Sequence, residues 1–511
     1  MRLLGLRVCA HDTNITYYDG EKLRYRSFER DFQFKHFGKF SRMGWIRVLD
    51  DWNVTPSEID SIGIVMDESP VIEGETEIPL FRDVGFTCPI HRIEHHRAHV
   101  LSCWPLGVEA NLHFVLDAFG DDYTYRSVFR DNERIDHAIS KEIGSGILDT
   151  RTEDLTPEII QEANKIPSLG FIMTRIGSYL GIDGHYLDQA GKIMAIKAFG
   201  RKDCPDVKYV DDIDRLNEVW DFGFLDHNIN SLTSEYLWDY IATAHEYTER
   251  IYLNHFRKFV KDGDVIGYSG GIAQNTIINK VLRDNFPNII IPPHANDQGL
   301  SLGCIEYLRR IYGLPEFDRS GFPFWQDDQS PKERPSDETI KKTAQILADG
   351  GIVGWYQGHG EVGPRALGNR SILMSPVVEG GKDYINEKVK HREPYRPFGA
   401  SVLEEKVSQY FYWNGPSPYM LYVADVLEPD LFPAITHVDG TCRHQTVSKE
   451  HEDYYRLISE FEKLTGLPIL LNTSLNNGGK PIAGRMADAF ELYHTTNLDS
   501  LVVGDDLRSK P

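Results

Sequence analysis

The chain has 511 residues, enough for roughly two to four domains, each with a core of its own. Its 55 basic and 77 acidic side chains give a net charge of −22, which weighs against a nucleic-acid polymer as main ligand but leaves room for a local basic groove. The six cysteines are scattered without a CxxC pair, which argues against a disulfide framework or a cysteine-bound zinc and fits a reducing cytoplasm. The apolar run Met1–Gly5 is too short for a signal peptide, and nothing in the sequence reads as a membrane span.

Leu3 to Cys9 reads as a buried strand, followed by the polar turn His11-Asp12-Thr13-Asn14. Ile15–Tyr18 and Leu23–Phe28 flank Asp19-Gly20-Glu21-Lys22, a hairpin signal because Asp-Gly supplies the positive φ of a tight turn. His11 is either a loop-tip residue or a site group. Ser41–Trp52 has helical spacing, Ile62–Val65 reads as a strand, and the acidic stretch Glu68–Glu77 as a loop. Next comes His91-Arg92-Ile93-Glu94-His95-His96-Arg97-Ala98-His99. On one helix, His91, His95 and His99 form a stripe, and two imidazoles four apart can reach one metal ion. Two metal readings stay open at this point. His91 and His95 with Glu94 as base fit an inverted zinc-peptidase pattern. His95 and His99 need instead a carboxylate from elsewhere. A solvated His/Arg helix face is the third reading.

Phe114-Val115-Leu116 is a short strand that runs into Asp117, a carboxylate at a strand C-terminus, and Tyr125–Arg130 completes a second hairpin. This repeats the opening strand, acidic turn and strand, the mark of a duplicated phosphate-binding fold. Gly191-Lys192 is placed at a helix start, where it suits a phosphate or is a plain N-terminal turn with a solvated lysine. Residues 235–260 form a long amphipathic helix. Strand Val265–Tyr268, then Ser269-Gly270-Gly271, then a helix from about Ala273 is an arrangement whose backbone N–H groups can hold a phosphate. After strand Ile289–Ile291, Asp297 leads into an apolar helix from Leu300 and is a candidate for the missing carboxylate.

From Pro315 to Asp337 periodicity fades, and a domain boundary falls there. Beyond helix Thr339–Leu347 and strand Gly351–Tyr356 lies the densest run in the chain, Gln357-Gly358-His359-Gly360-Glu361-Val362-Gly363-Pro364-Arg365-Ala366-Leu367-Gly368-Asn369-Arg370-Ser371. Its glycines let backbone approach an anion and its arginines give forked contacts. Lys388, Lys390, Arg392 and Arg396 follow, and Asp439–Val447, with Arg443, and Asn472–Asn476 add two polar loops.

These motifs together resemble the O-carbamoyltransferase family of antibiotic and nodulation-factor biosynthesis, over nearly the whole chain. The most specific match is Gly363-Pro364-Arg365-Ala366-Leu367-Gly368-Asn369-Arg370-Ser371-Ile372-Leu373. Arg396-Pro397-Phe398, Asp439-Gly440-Thr441, Gln445-Thr446-Val447, Asn472-Thr473-Ser474, His95-His96-x-Ala98-His99, Ser269-Gly270-Gly271 and Asp297-x-Gly299 support it. The sequence departs from the family at His359, where arginine is usual, at Gly399-Ala400, and at Leu475, which replaces an aromatic residue.

The resemblance implies an α/β protein. A duplicated actin/sugar-kinase-like (ASKHA) domain would span 1–320, a linker 321–337, and a smaller α/β twisted-sheet domain 338–511. It implies that carbamoyl phosphate and ATP, with Mg2+, give carbamoyl-AMP and pyrophosphate in the C-terminal domain. The carbamoyl group would then pass to an acceptor hydroxyl in the N-terminal domain. By the same carry-over, His95, His99, Asp117 and Asp297 hold a divalent metal, iron in the related proteins. His11 is the candidate general base, and Lys390 and Arg392 serve adenylate formation. Lys192, Gly270, Gly271 and Asn275, and then Arg365, Arg370, Lys390, Arg392, Arg396, Arg443, Asn472, Ser474 and Asn476, contact the nucleotide and phosphates. The expected partner is a small-molecule alcohol, with a hydroxymethylated nucleobase as the alternative acceptor, on a cytoplasmic protein for which a homodimer is the assembly considered. A sugar or acid kinase, a peptidase and a non-catalytic nucleotide sensor are the competing classes. The first two leave the C-terminal basic cluster without a role.

Overall fold

The computed structural model describes residues 1–8, 11–38, 42–66, 73–140, 165–182, 184–228 and 233–510. Cys9 and residues 68–72 of the expected acidic loop lie outside them. The chain divides into two compact units. One comprises residues 1–66, 73–93 and 292–511; the other comprises 67–72 and 94–291.

The first unit opens with strands β1 (Leu3–Val8), β2 (Asn14–Tyr18), β3 (Leu23–Ser27), β4 (Ser61–Met66), β5 (Gly74–Thr76) and β6 (Ile90–Arg92). They form one sheet in the order β3-β2-β1-β4-β6-β5. β1 to β3 are an antiparallel meander, and β1, β4 and β6 run parallel. Leu4, Leu6, Ile15, Ile62 and Ile64 pack with Trp52 and Phe81 into a core on one face, and the alternate residues of β1, Leu3, Gly5 and Arg7, are buried as well. The second unit holds β7 (Leu112–Leu116), β8 (Thr124–Arg130), β9 (Glu133–Ile139), β10 (Ile266–Ser269) and β11 (Ile289–Ile290). Its order is β11-β10-β7-β8-β9, again an antiparallel meander with two parallel strands beside its first member. The same wiring therefore occurs twice, the duplication expected from the repeated hairpins, as in the actin/sugar-kinase-like domain that the resemblance implies.

The C-terminal part of the first unit is a mixed sheet of β12 (Val353–Tyr356), β13 (Arg370–Met374), β14 (Gly399–Leu403), β15 (Val423–Asp425), β16 (Thr441–Val447), β17 (Ile469–Ser474), β18 (Ser500–Val503) and β19 (Asp506–Ser509). The strand order is β15-β16-β14-β17-β13-β12-β18-β19. Successive residues serve opposite faces. Ile372, Met374, Ile469 and Leu471 enter one core, while Leu373 and Leu470 enter the other, beneath helices Asp337–Ala348 and Glu452–Thr465. The segment expected as a free linker is pinned. Gln326 bridges Tyr25 of β3 on one side and Gly360 on the other, and the Asp327 carboxylate accepts from Trp52 Nε1.

Among the described residues no helix is long and apolar enough to cross a membrane. The five described cysteines are buried thiols.

Candidate metal centre and anion pocket

The histidine stretch is not one helix. His91 ends in β6, where its Nε2 lies 3.2 Å from the Tyr312 hydroxyl. Glu94 is the N-cap, its carboxylate accepting from Arg97 N at 2.7 Å, and the helix runs His95–Leu101. This separates His91 from the other two imidazoles and commits Glu94 to capping, so the peptidase arrangement is not built.

His95 and His99 remain one turn apart, both essentially buried, with ring centroids 5.0 Å from each other. β7 delivers Asp117 to them. Its Oδ1 accepts from Ala118 N at 2.7 Å, which turns Oδ2 toward His99 Nε2 at 3.0 Å and His95 Nε2 at 3.5 Å. All three residues offer ligand atoms within 4.8 Å of one another. Two imidazoles and one carboxylate in a buried site are a donor set that fits a divalent transition metal, iron(II) included. His96 points elsewhere, to Ser127 Oγ at 2.8 Å, and burial pushes its imidazole down to about 3.

The glycine pair of the same unit owes its identity to this strand end. Gly270 has φ 93°, and a Cβ there would stand 2.2 Å from the Leu116 carbonyl oxygen; one on Gly271 would stand 3.0 Å from Asp117 Oδ1. Asn275 caps helix Thr276–Asn285, accepting from Ile277 N and Ile278 N, and its amide nitrogen donates to His245 Nε2 at 3.1 Å. The expectation for Gly191-Lys192 needs correction. They sit inside helix Tyr186–Ile196, where backbone N–H groups are spent on the helix itself, so there is no helix-start phosphate cradle there.

In the first unit, Asp297 opens the short turn before helix Leu300–Ile311. Arg7 donates to its Oδ2 at 2.9 Å, and Asn14 donates to its carbonyl. His11 Nδ1 lies 3.0 Å from Asp12 Oδ2 and 3.9 Å from Asp297 Oδ2. Burial alone lowers this imidazole, but the Asp12 hydrogen bond and the Asp297 charge outweigh it and the net direction is upward. A carboxylate on Nδ1 fixes the ring and leaves Nε2 for a proton transfer.

The C-terminal sheet gathers the basic residues. Lys390 is 2% exposed and its ammonium donates to Ser474 O at 2.7 Å, Asn476 O at 2.8 Å, Ser474 Oγ at 3.2 Å and the Asn476 side-chain oxygen. Arg392 donates to Asn386 Oδ1 at 2.7 Å and lies over the Phe398 ring at 4.6 Å. Burial, then Arg392 and Arg396, hold Lys390 well below the usual lysine range. Burial with Arg396 and Arg443 does the same to Arg392, burial with Arg443 and Arg396 to Arg365, and burial with Arg396 brings Arg443 down to about 10. Each cation is thus depressed by the others, a like-charge assembly that an anion would relieve.

Two of the basic-loop expectations change. The backbone N–H groups of Leu367, Asn369 and Arg370 all donate to one oxygen of Glu361, at 2.8, 2.9 and 3.1 Å. The anion that this glycine-rich loop cradles is therefore the chain's own carboxylate. Arg370, fully buried, spends its guanidinium on Gln357 O, Asp328 and Gly358 O and packs on Tyr356. It braces the loop. Asn472 likewise gives its amide to Ser401 Oγ at 2.9 Å and Gln445 Oε1 at 3.3 Å.

Residues 344–510, which hold this pocket, match the family model described as carbamoyltransferase C-terminus. Nodulation protein NolNO of Sinorhizobium fredii is 39% identical over 299 residues, 53% of this chain and 44% of that protein. The 3'-hydroxymethylcephem-O-carbamoyltransferase of Amycolatopsis lactamdurans is 32% identical over 342 residues, 62% of this chain and 64% of that one. Over these spans the chain is similar to carbamoyltransferases. It spans about half the length of the curated relatives it matches first. Among solved structures, full-length HypF aligns with a TM-score of 0.38 and 14% identity over 62% of this chain and 47% of that one, too loose a likeness to add to the topology above.

Sequence reading missed four polar residues. Arg7, 1% exposed, stands in an otherwise apolar strand, and a buried cation there signals a carboxylate partner. Asp12, which holds His11, gave no signal beyond adjacency. Glu361 was visible only as an acid in a glycine- and arginine-rich loop, and Arg30 had no local signal.

Proposed function

We propose that this chain is an ATP-dependent O-carbamoyltransferase that works in two steps. In the first, carbamoyl phosphate, water and ATP give carbamoyl-AMP, pyrophosphate and orthophosphate at the C-terminal pocket, with Mg2+ on the phosphates. In the second, an alcohol displaces AMP and leaves as its carbamate ester. The observation that carries this reading is the cluster of Arg365, Lys390, Arg392, Arg396 and Arg443. In a chain of net charge −22 these five cations are gathered in one place, and burial together with neighbouring cations lowers the proton affinity of Arg365, Lys390, Arg392 and Arg443, a setting that the phosphates of ATP and carbamoyl phosphate would relieve.

Arg365, Arg392, Arg396 and Arg443 screen the repulsion between the two substrates, and Lys390, fixed by Ser474 and Asn476, neutralises charge on the phosphate under attack. Transfer would use His95, His99 and Asp117, with Asp297 as fourth donor, to hold a divalent ion, for which iron is our choice. Such an ion supplies Lewis-acid polarisation of the carbamoyl carbonyl. His11, oriented by Asp12, takes the acceptor's hydroxyl proton at Nε2, and the Ser269–Gly271 backbone with the side chains of Asn275 and Lys192 would receive the departing nucleotide. The name of the cephem relative points to a hydroxymethyl group as acceptor. We propose a small alcohol of this kind, with a hydroxymethylated nucleobase as the alternative.

Incubation with ATP and carbamoyl phosphate, without acceptor, tests the reading. Release of pyrophosphate is expected. Formation of ADP with a phosphorylated alcohol would replace it with a kinase.

A further inference from the structure

We infer that Arg30, a residue of the N-terminal hairpin region, is a positioning residue for chemistry in the C-terminal pocket, acting through Glu361 on the loop that presents Arg365. The inference rests on the reading above only for the reaction it names; the contact itself stands on geometry.

Arg30 lies in the short helix Phe28–Phe32, directly after β3, and is 2% exposed. Its guanidinium reaches more than three hundred residues ahead in sequence, donating from Nη2 to the Gly363 carbonyl at 2.9 Å. Its Nη1 stands 3.9 Å from Glu361 Oε2. The other oxygen of Glu361 is the one that collects the N–H groups of Leu367, Asn369 and Arg370. Glu361 is fully buried, and a buried carboxylate keeps its charge only with hydrogen bonds and a counter-ion. The loop supplies the first and Arg30 the second. Between the two ends of this clamp lies Arg365.

The surrounding glycines match this role. A Cβ on Gly360 would stand 2.7 Å from Arg30 Nη1, and one on Gly484 2.8 Å from the Arg30 carbonyl oxygen. Gly363, at φ 100°, would meet the Pro293 carbonyl oxygen at 2.4 Å. Larger residues at these positions would push the loop off the arginine.

Arg30→Met removes the counter-ion and keeps much of the volume. Pyrophosphate release is expected to fall by about tenfold to a hundredfold, the range for a catalytic group displaced by an ångström. Transfer from supplied carbamoyl-AMP should stay near the wild-type rate. Arg30→Lys should recover part of the loss. Glu361→Gln should resemble Arg30→Met, and the double variant should be no worse than either single one, because both break one clamp. Hydrogen exchange at Leu367, Asn369 and Arg370 should quicken in each, a readout independent of catalysis. Wild-type loop exchange and pyrophosphate release in Arg30→Met would overturn the inference. So would equal loss of both half-reactions with a lowered melting temperature. If the wild-type protein itself releases no pyrophosphate, the proposed function fails. Faster loop exchange in Arg30→Met would then still support the clamp, and unchanged exchange would refute it.

Discussion

The two charged centres of this protein are built in opposite ways. The candidate metal trio is local in sequence: one turn of helix gives His95 and His99, and the end of the next strand leads to Asp117. Two imidazoles and one carboxylate converge there on a single point. The anion pocket is dispersed. Its cations come from Arg365 through Arg443 and are held by neutral oxygens and an aromatic ring rather than by acids alone. Arg396 has Glu393 at 3.7 Å, but its effect on Lys390, Arg392, Arg365 and Arg443 is repulsive. A site of the first kind is preorganised for a point charge. One of the second kind gains stability when a polyanion arrives.

The sharpest way to break this contrast is to remove one member of each centre. His99→Ala should lower bound metal and cut carbamoyl transfer by roughly a hundredfold or more while pyrophosphate release persists, read by metal analysis and the two half-reactions. Arg392→Ala should do the reverse, with a loss on the order of a hundredfold in pyrophosphate release and recovery of transfer when carbamoyl-AMP is supplied. Loss of both half-reactions in either folded variant would mean that the centres are not separate in function.

Ligand stabilisation sharpens the contrast further. Pyrophosphate at a hundred times its dissociation constant should add about 2.7 kcal/mol to the stability of the wild-type protein, and much less to Arg392→Ala, in thermal shift. Gly270→Ala should cost about 1–3 kcal/mol, since a side chain at φ 93° is strained and would press on the end of β7. The smallest effect concerns acid. Burial holds His255 in the second unit and His451 in the C-terminal part near 4. Both lie below the usual histidine value, so the unfolded chain takes up their protons first. The stability they allow is complete above about pH 6.5 and is lost as pH falls toward 4. His451→Gln should make the slope of stability against pH shallower by up to about 1.4 kcal/mol per pH unit, measured by denaturant unfolding.

The sequence was most legible where chemistry and periodicity coincide. Short apolar runs marked β7, β10, β12 and β17, and the four-residue spacing of His95 and His99 is a property of any helix that contains both. Boundaries were harder. Nothing in Ile90-His91-Arg92 distinguishes a strand edge from a helix turn until Glu94 is seen to cap. Gly191-Lys192 resembled a helix start because the mostly apolar stretch Ile193–Ala198 follows it directly, yet Tyr186 to Gln189 had already begun one. Least legible were partners far apart in sequence. Arg7 with Asp297, and Glu361 with the amides of residues 367–370, are matched by burial in three dimensions, and no local pattern encodes such pairings.

The pinned segment around Gln326 bears on how the protein can be dissected. A fragment cut at Asp337 would retain all of residues 344–510, the span recognised as carbamoyltransferase C-terminus. It would nonetheless leave behind the backbone partner of Gly360 and the Asp328 carboxylate that Arg370 grips at 2.8 Å. The stretch of sequence that looks most expendable is the piece an isolated half would miss first, and Arg30, which belongs to the same compact unit, would be lost with it.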